Sequence, residues 1–131
     1  VQDALAGPPA YDVVSLLQDA RIDVPDILVD RCLNHYVRRR FGTDVDAEKG
    51  SARRFREAFA LLGLQRNLKI AGIFVRLALR DNKPQYRAHL PRILDYVQTN
   101  LAHDAAAPVR GWLETHAPDW AAWMSDPQEP V

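Results

Sequence analysis

The residues best equipped for chemistry lie in one short run, Gln65-Arg66-Asn67-Leu68-Lys69, where four hydrogen-bonding side chains interrupt a strongly apolar stretch. A helix that carries them through a core must give each a partner, because an unpaired polar group is costly to bury. Periodicity alone leaves two readings open: a solvated stripe of the helix, or a polar floor that meets something outside this chain. Tyr11-Asp12 follows Gly7-Pro8-Pro9, where an acid favours the positive end of a starting helix. Other groupings fall to simpler readings. Asp44, Asp46 and Glu48 alternate like the start of a calcium loop, but Lys49 stands where the loop needs Gly and Phe55 where it needs Glu, so helix capping explains them. His35, His89, His103 and His116 lack the spacing and the Cys company of a zinc site. Arg38-Arg39-Arg40 suits a helix C-terminus and could also meet a phosphate or an acidic partner. Trp112, Trp120 and Trp123 read as core-closing aromatics. The chain contains no Gly-rich phosphate loop, nucleophile elbow or Cys/His pair, and no metal site is expected.

The elements that must position these residues are helical. Gly7-Pro8-Pro9 releases a helix at about Tyr11, with Val13, Val14, Leu16 and Leu17 as its apolar face and an end near Arg21. Asp23-Val24-Pro25 starts a second helix, with Asp23 as its capping residue, running from about Pro25 to Arg40 through Leu33, Val37 and Phe41; Gly42 stops it. Thr43 and Asp46 match a capping box for the next helix. From Ala52 to Arg80 there is no Pro, and apolar residues recur at helical spacing, with Gly63 a plausible kink or break. Asp81-Asn82-Lys83-Pro84 is a turn. Tyr86, Leu90, Ile93, Leu94, Val97 and Leu101 share a face that Pro91 bends or resets. A last helix spans about Pro108 to His116, Trp120 and Trp123 follow in a short turn, and residues 125–131 are expected to fray. No segment alternates with period two, so the expected fold class is all-α, five to six helices over residues 1–124.

The 131 residues, with 17 Lys+Arg balancing 17 Asp+Glu and one Cys, make one domain and exclude a disulfide scaffold. Zero net charge removes the electrostatic footprint of non-specific nucleic-acid binding. The longest mostly apolar run, Ile70 to Leu79, is shorter than the roughly 20 residues a bilayer needs, so no membrane is expected. The start at Val1, with no Met and no signal-peptide pattern, reads as an excised piece, and the lone thiol fits a reducing, cytoplasmic setting.

Two blocks carry a resemblance. Gln2 to Asp19, with Gly7-Pro8-Pro9-Ala10-Tyr11-Asp12 at its centre, resembles the aminoglycoside-phosphotransferase and choline-kinase-like superfamily. Gln65 to Leu77, followed by Arg80-Asp81-Asn82-Lys83-Pro84-Gln85-Tyr86 and Leu90-Pro91-Arg92, is similar more narrowly to bacterial anomeric kinases of N-acetylmuramate and N-acetylglucosamine. The resemblance covers about Val1 to Leu101 and implies the C-terminal helical part of the larger lobe of a kinase-like fold. It also implies that the nucleotide-binding lobe, the His-Gly-Asp catalytic loop and the metal-binding Asp precede Val1, so Asp3 is not that ligand.

From the resemblance, Tyr11-Asp12 opens a helix behind the active site, and Asp12 holds the catalytic loop through its backbone. Gln65, Arg66, Asn67 and Lys69 then face the cleft as sugar-contacting or loop-supporting groups, with Arg66 and Lys69 able to neutralise an acidic sugar substituent. The implied parent is an ATP- and Mg-dependent phosphotransferase acting on a sugar or amino-alcohol, with no catalytic residue or bound cofactor in this chain. Its rivals are an aminoglycoside- or choline-type kinase and a free-standing helical interaction module that binds a partner helix or peptide in an apolar groove. As a piece of the kinase, the chain is expected to expose the apolar face that packs on the missing lobe.

Overall fold

The Pro-free stretch forms a single helix, and the rest of the chain is arranged along it. In this computed structural model, which describes residues 6–42 and 50–125, that helix is the third of six. They are α1 (Pro9–Leu17), α2 (Asp26–Phe41), α3 (Ser51–Leu79), α4 (Leu90–Ala102), α5 (Ala107–His116) and α6 (Trp120–Ser125), with 3-10 segments at Pro84–His89 and Asp104–Ala106. Among the described residues there is no strand, as the absence of period-two alternation implies. The calcium-like run Asp44–Glu48, the Thr43/Asp46 capping box and the tail beyond Ser125 lie outside the described residues.

At 1.5 Å per residue the 29-residue α3 is about 44 Å long, enough to serve two hydrophobic clusters in series. Its first half carries Ala52, Phe55 and Phe59 into a cluster with Ala10, Val14 and Leu17 of α1 and Val37 of α2. Phe55 lies at ring-centroid distances of 5.0 Å from Tyr36 and 5.6 Å from Phe41. Its second half carries Leu64, Ala71, Phe74 and Val75 against Leu90, Ile93, Leu94, Val97 and Leu101, the apolar face of α4. Val14, Leu90, Ile93 and Val97 have no solvent exposure, and burying each such side chain contributes on the order of 1.5 to 3 kcal/mol.

The structure corrects several boundaries. α1 ends at Leu17, not Arg21, because the Asp19 carboxylate accepts the backbone N–H groups of Arg21 (2.7 Å) and Ile22 (3.0 Å) and turns the chain. Asp23 does not cap α2. Pro25 takes the N-cap position, and Asp23 instead accepts from Arg92 Nε at 3.3 Å. Gly63 neither breaks nor ends α3, which runs through it. Pro91 resets the chain: it stands in the first turn of α4, where no intrahelical N–H is needed, after a 3-10 segment that brings Tyr86 to 5.0 Å from Phe74. Trp120 packs on the second cluster, but Trp112 and Trp123 are more than half exposed, because α5 and α6 are short outer helices. Trp120 and Trp123 also belong to a helix, α6, and not to a turn.

The Ile70–Leu79 run understated α3. Taken whole, the helix is long and apolar enough to cross a membrane by length and composition alone. Its packing is that of a core helix: both clusters close on it, and Asn67 in its middle is fully buried, its Nδ2 bonded to Gln18 at the end of α1 and its Oδ1 without a partner among the described residues.

Candidate functional site

α1 presents two unlike faces because its apolar residues recur at helical spacing. Ala10, Val14 and Leu17 turn inward, while Tyr11, Asp12 and Leu16 turn outward. Pro9 in the first turn needs no intrahelical N–H, and Tyr11 N–H closes the turn on the Pro8 carbonyl at 2.9 Å. Asp12 and Leu16, one turn apart, share the exposed side. Among the described residues no hydrogen bond or ion pair reaches the exposed Asp12 carboxylate.

The polar run on α3 does not present a single face. Gln65 and Lys69, four residues apart, are exposed together. Arg66 is half-buried and donates through Nη1 to the Gln18 carbonyl at 3.1 Å. Asn67 points into the interior, its Nδ2 donating to Gln18 Oε1 at 2.7 Å. Asn100 of α4 completes this cluster: its Nδ2 donates to the same Gln18 Oε1 at 2.9 Å, and Gln18 Nε2 returns a bond to Asn100 Oδ1 at 3.3 Å.

Gln18, Asn67 and Asn100 lie where the two hydrophobic clusters meet and tie the end of α1 to α3 and α4. Gly63 makes room for them: a Cβ there would stand 2.8 Å from the Asn100 amide and 2.9 Å from Gln18 Oε1. Gln18 and Asn100 escape a reading of the sequence alone, because their partners are 49 and 82 residues away. One signal was available. Asn100 sits beside Leu101 on the apolar face of α4, and a lone amide in that register implies a partner across the core.

Beside the cluster, the α1–α2 connection and α3 enclose a small pocket of about 140 Å³ lined by Asp19, Arg21, Arg66, Ile70 and Phe74. One acid, Asp19, and two arginines, Arg21 and Arg66, border it. The Arg21 backbone N–H holds the Asp19 carboxyl below its usual range, with the Ile22 N–H and the Arg66 charge adding to that and partial burial opposing it. Arg92 flanks the connection, bonding Asp23 and the Ala20 carbonyl. Tyr96 is buried with its hydroxyl unpartnered among the described residues, and burial pushes its ionisation up. Gln65 and Lys69 do not line this pocket.

The other candidates are placed as follows. Arg38, Arg39 and Arg40 are exposed in the last turn of α2. His103 Nδ1 accepts the Ala105 N–H, His89 packs on Phe74, and His116 stacks on Trp112. Among the described residues no three of His, Cys, Asp and Glu gather as a metal site requires. These groups can position and hydrogen-bond a partner; they contain no activated nucleophile.

No family model matches the chain. Curated relatives do. Over 120 residues, 92% of this chain, it is 37% identical to the N-acetylmuramate/N-acetylglucosamine kinase of Pseudomonas aeruginosa, of which it covers 35%. The kinase of the same name from Neisseria meningitidis serogroup B is 41% identical over 99 residues, 74% of this chain and 29% of the relative. That of Caulobacter vibrioides is 34% identical over 117 residues, 89% of this chain and 30% of the relative. The chain is therefore similar to N-acetylmuramate/N-acetylglucosamine kinases along most of its own length, and it spans about a third of theirs.

Proposed function

We propose that this chain is the C-terminal, substrate-side helical portion of the larger lobe of an ATP-dependent amino-sugar phosphotransferase of the aminoglycoside-phosphotransferase type. The similarity to three kinases of one name, over most of this chain, carries the reading. Asp12, exposed and without a partner among the described residues, would accept hydrogen bonds from the catalytic-loop backbone, with Tyr11 beside it on α1. The Gln18–Asn67–Asn100 cluster would fix α1, and so Asp12, against α3 and α4. Gln65 and Lys69 have the exposure that a sugar contact needs; Arg66 and Lys69 could neutralise the carboxylate that distinguishes N-acetylmuramate from N-acetylglucosamine.

The reaction implied is transfer of the γ-phosphoryl group of ATP to a sugar hydroxyl, in which positioning and charge neutralisation do most of the work. Among the described residues no three of His, Cys, Asp and Glu gather to hold the ion. In this reading magnesium and the triphosphate are held by the rest of the enzyme. Use of ATP fits a cytoplasmic enzyme.

The test is ADP release by the full-length gene product with ATP, Mg²⁺ and either N-acetylglucosamine or N-acetylmuramate. Turnover is expected from that product and none from the 131-residue chain alone. Turnover by the isolated chain would overturn this division of labour, and a full-length product active only on aminoglycosides or choline would move the acceptor. An unchanged sugar KM in Gln65→Ala and Lys69→Ala variants would remove those residues from the binding role.

A further inference from the structure

A groove of about 820 Å³ lies between α1 and α2, with Val13, Leu16, Leu17, Leu28, Cys32 and Tyr36 along it. Its apolar wall is open, with Leu16 74% and Leu28 45% exposed; outside the lining, Ile22 and Ile27, on the connection and first turn that join the two helices, are 65% and 70% exposed. So much aliphatic surface in one place is unusual on a finished protein surface and marks a face that another surface covers. Arg31, His35, Arg38 and Arg39 form one basic side of the groove.

We propose that this groove is the seat of the remaining part of the same kinase polypeptide, the part that bears the catalytic loop, and that the segment seated there is apolar with acidic flanks. The inference rests on the kinase reading and adds to it the surface through which the two parts join. Three observations select this occupant. About two thirds of the length of the relatives has no counterpart in this chain and must pack against it somewhere. Asp12 and Leu16 stand one turn apart on the outer side of α1, so a partner that reaches the Asp12 carboxylate also covers Leu16. The basic side complements acidic residues, which fixes the orientation of what enters.

Cys32, exposed in the groove and the only cysteine of the chain, reports on its occupancy. N-ethylmaleimide alkylation, followed on the Cys32 peptide by mass spectrometry, is compared in the 131-residue chain and in the full-length gene product. The thiol should react as a free thiol in the former and at least tenfold more slowly in the latter. Leu16→Asp in the full-length product should restore most of the lost rate, with helicity by circular dichroism checking that the variant is folded. Sugar-kinase turnover of the unmodified full-length product is measured alongside. An active product whose Cys32 reacts as fast as in the isolated chain overturns the docking surface and leaves the kinase reading standing. A protected Cys32 in a product with no kinase activity overturns the kinase reading on which the assignment depends. Protection already present in the isolated chain, with a doubled mass in sedimentation, assigns the groove to a second copy, and a reading frame of these residues alone overturns the proposal outright.

Discussion

Replacing Gly63 with Ala tests the role of the buried amide cluster, because propensity and packing predict opposite signs. In a solvent-exposed helix interior the change gains about 0.5 to 1 kcal/mol. Here the added methyl would lie 2.8 Å from both terminal atoms of Asn100 and 2.9 Å from Gln18 Oε1. These are side-chain ends that could rotate in open space, but both residues are only 3% exposed and bond each other, and Gln18 also accepts from Asn67. Moving either one breaks at least one buried hydrogen bond, costing about 1 to 3 kcal/mol, and overpacking costs about 1 to 3 kcal/mol more. Set against the propensity gain, the net loss is about 3 kcal/mol, a fall of more than roughly a hundredfold in the folded-to-unfolded ratio. With a urea dependence of about 1 to 3 kcal/mol per molar, the unfolding midpoint followed at 222 nm should drop by at least about 1 M. Gly72→Ala, in the same helix with open space around its Cβ, should raise the midpoint instead. Asn100→Ala should be destabilising in the native background and much less so beside Ala at position 63, since it vacates the space the methyl needs. A Gly63→Ala variant as stable as the native chain would refute the reasoning.

Three further outcomes are expected. Asn67→Asp keeps the shape but removes the donor to Gln18 Oε1 and leaves a fully buried carboxylate, so it should cost about 3 kcal/mol near neutral pH and recover part of that as the acid protonates; denaturant titrations at pH 7 and pH 4 measure both. Ile93→Ala removes a side chain with no exposure from the α3–α4 contact and should cost about 2 to 5 kcal/mol in the same titration. The Arg21 N–H holds the Asp19 carboxyl below its ordinary value of 3.8 in the fold, so its contribution to stability is complete above that value and lost as pH falls through the lower folded value. An Asp19→Asn variant should therefore lose less stability than the native chain on acidification below about pH 4, and equal acid sensitivity of the two proteins would remove Asp19 from that account.

Local chemistry made much of this protein legible before its fold was known. The absence of Pro between Ala52 and Arg80 and the apolar spacing there specify α3 to within a residue at each end, because helix propensity and amphipathic period act over a few neighbours. The same holds for the turn at 81–84, where Asn82 adopts a positive φ of 50°, and for the all-α class. Asp12 was legible as an exposed acid at a helix start. Boundaries set by side chains reaching around a corner were not: Asp19 captures two amides and ends α1 early, a contest between local hydrogen bonds that spacing cannot decide.

Sequence by itself determined that Gln65 to Lys69 is a polar run on an apolar helix in need of partners. Only tertiary structure decided which side each residue faces, with Gln65 and Lys69 in solvent, Arg66 on the Gln18 carbonyl and Asn67 wholly inside. The reason is geometric: 100° of rotation per residue distributes a contiguous run around the helix, and the direction of the interior is set by where α1 and α4 lie. Gly63 shows the same division most sharply. Read along the chain it is a weak point in a helix; in the fold it is the space that three buried amides from α3, α4 and the end of α1 require.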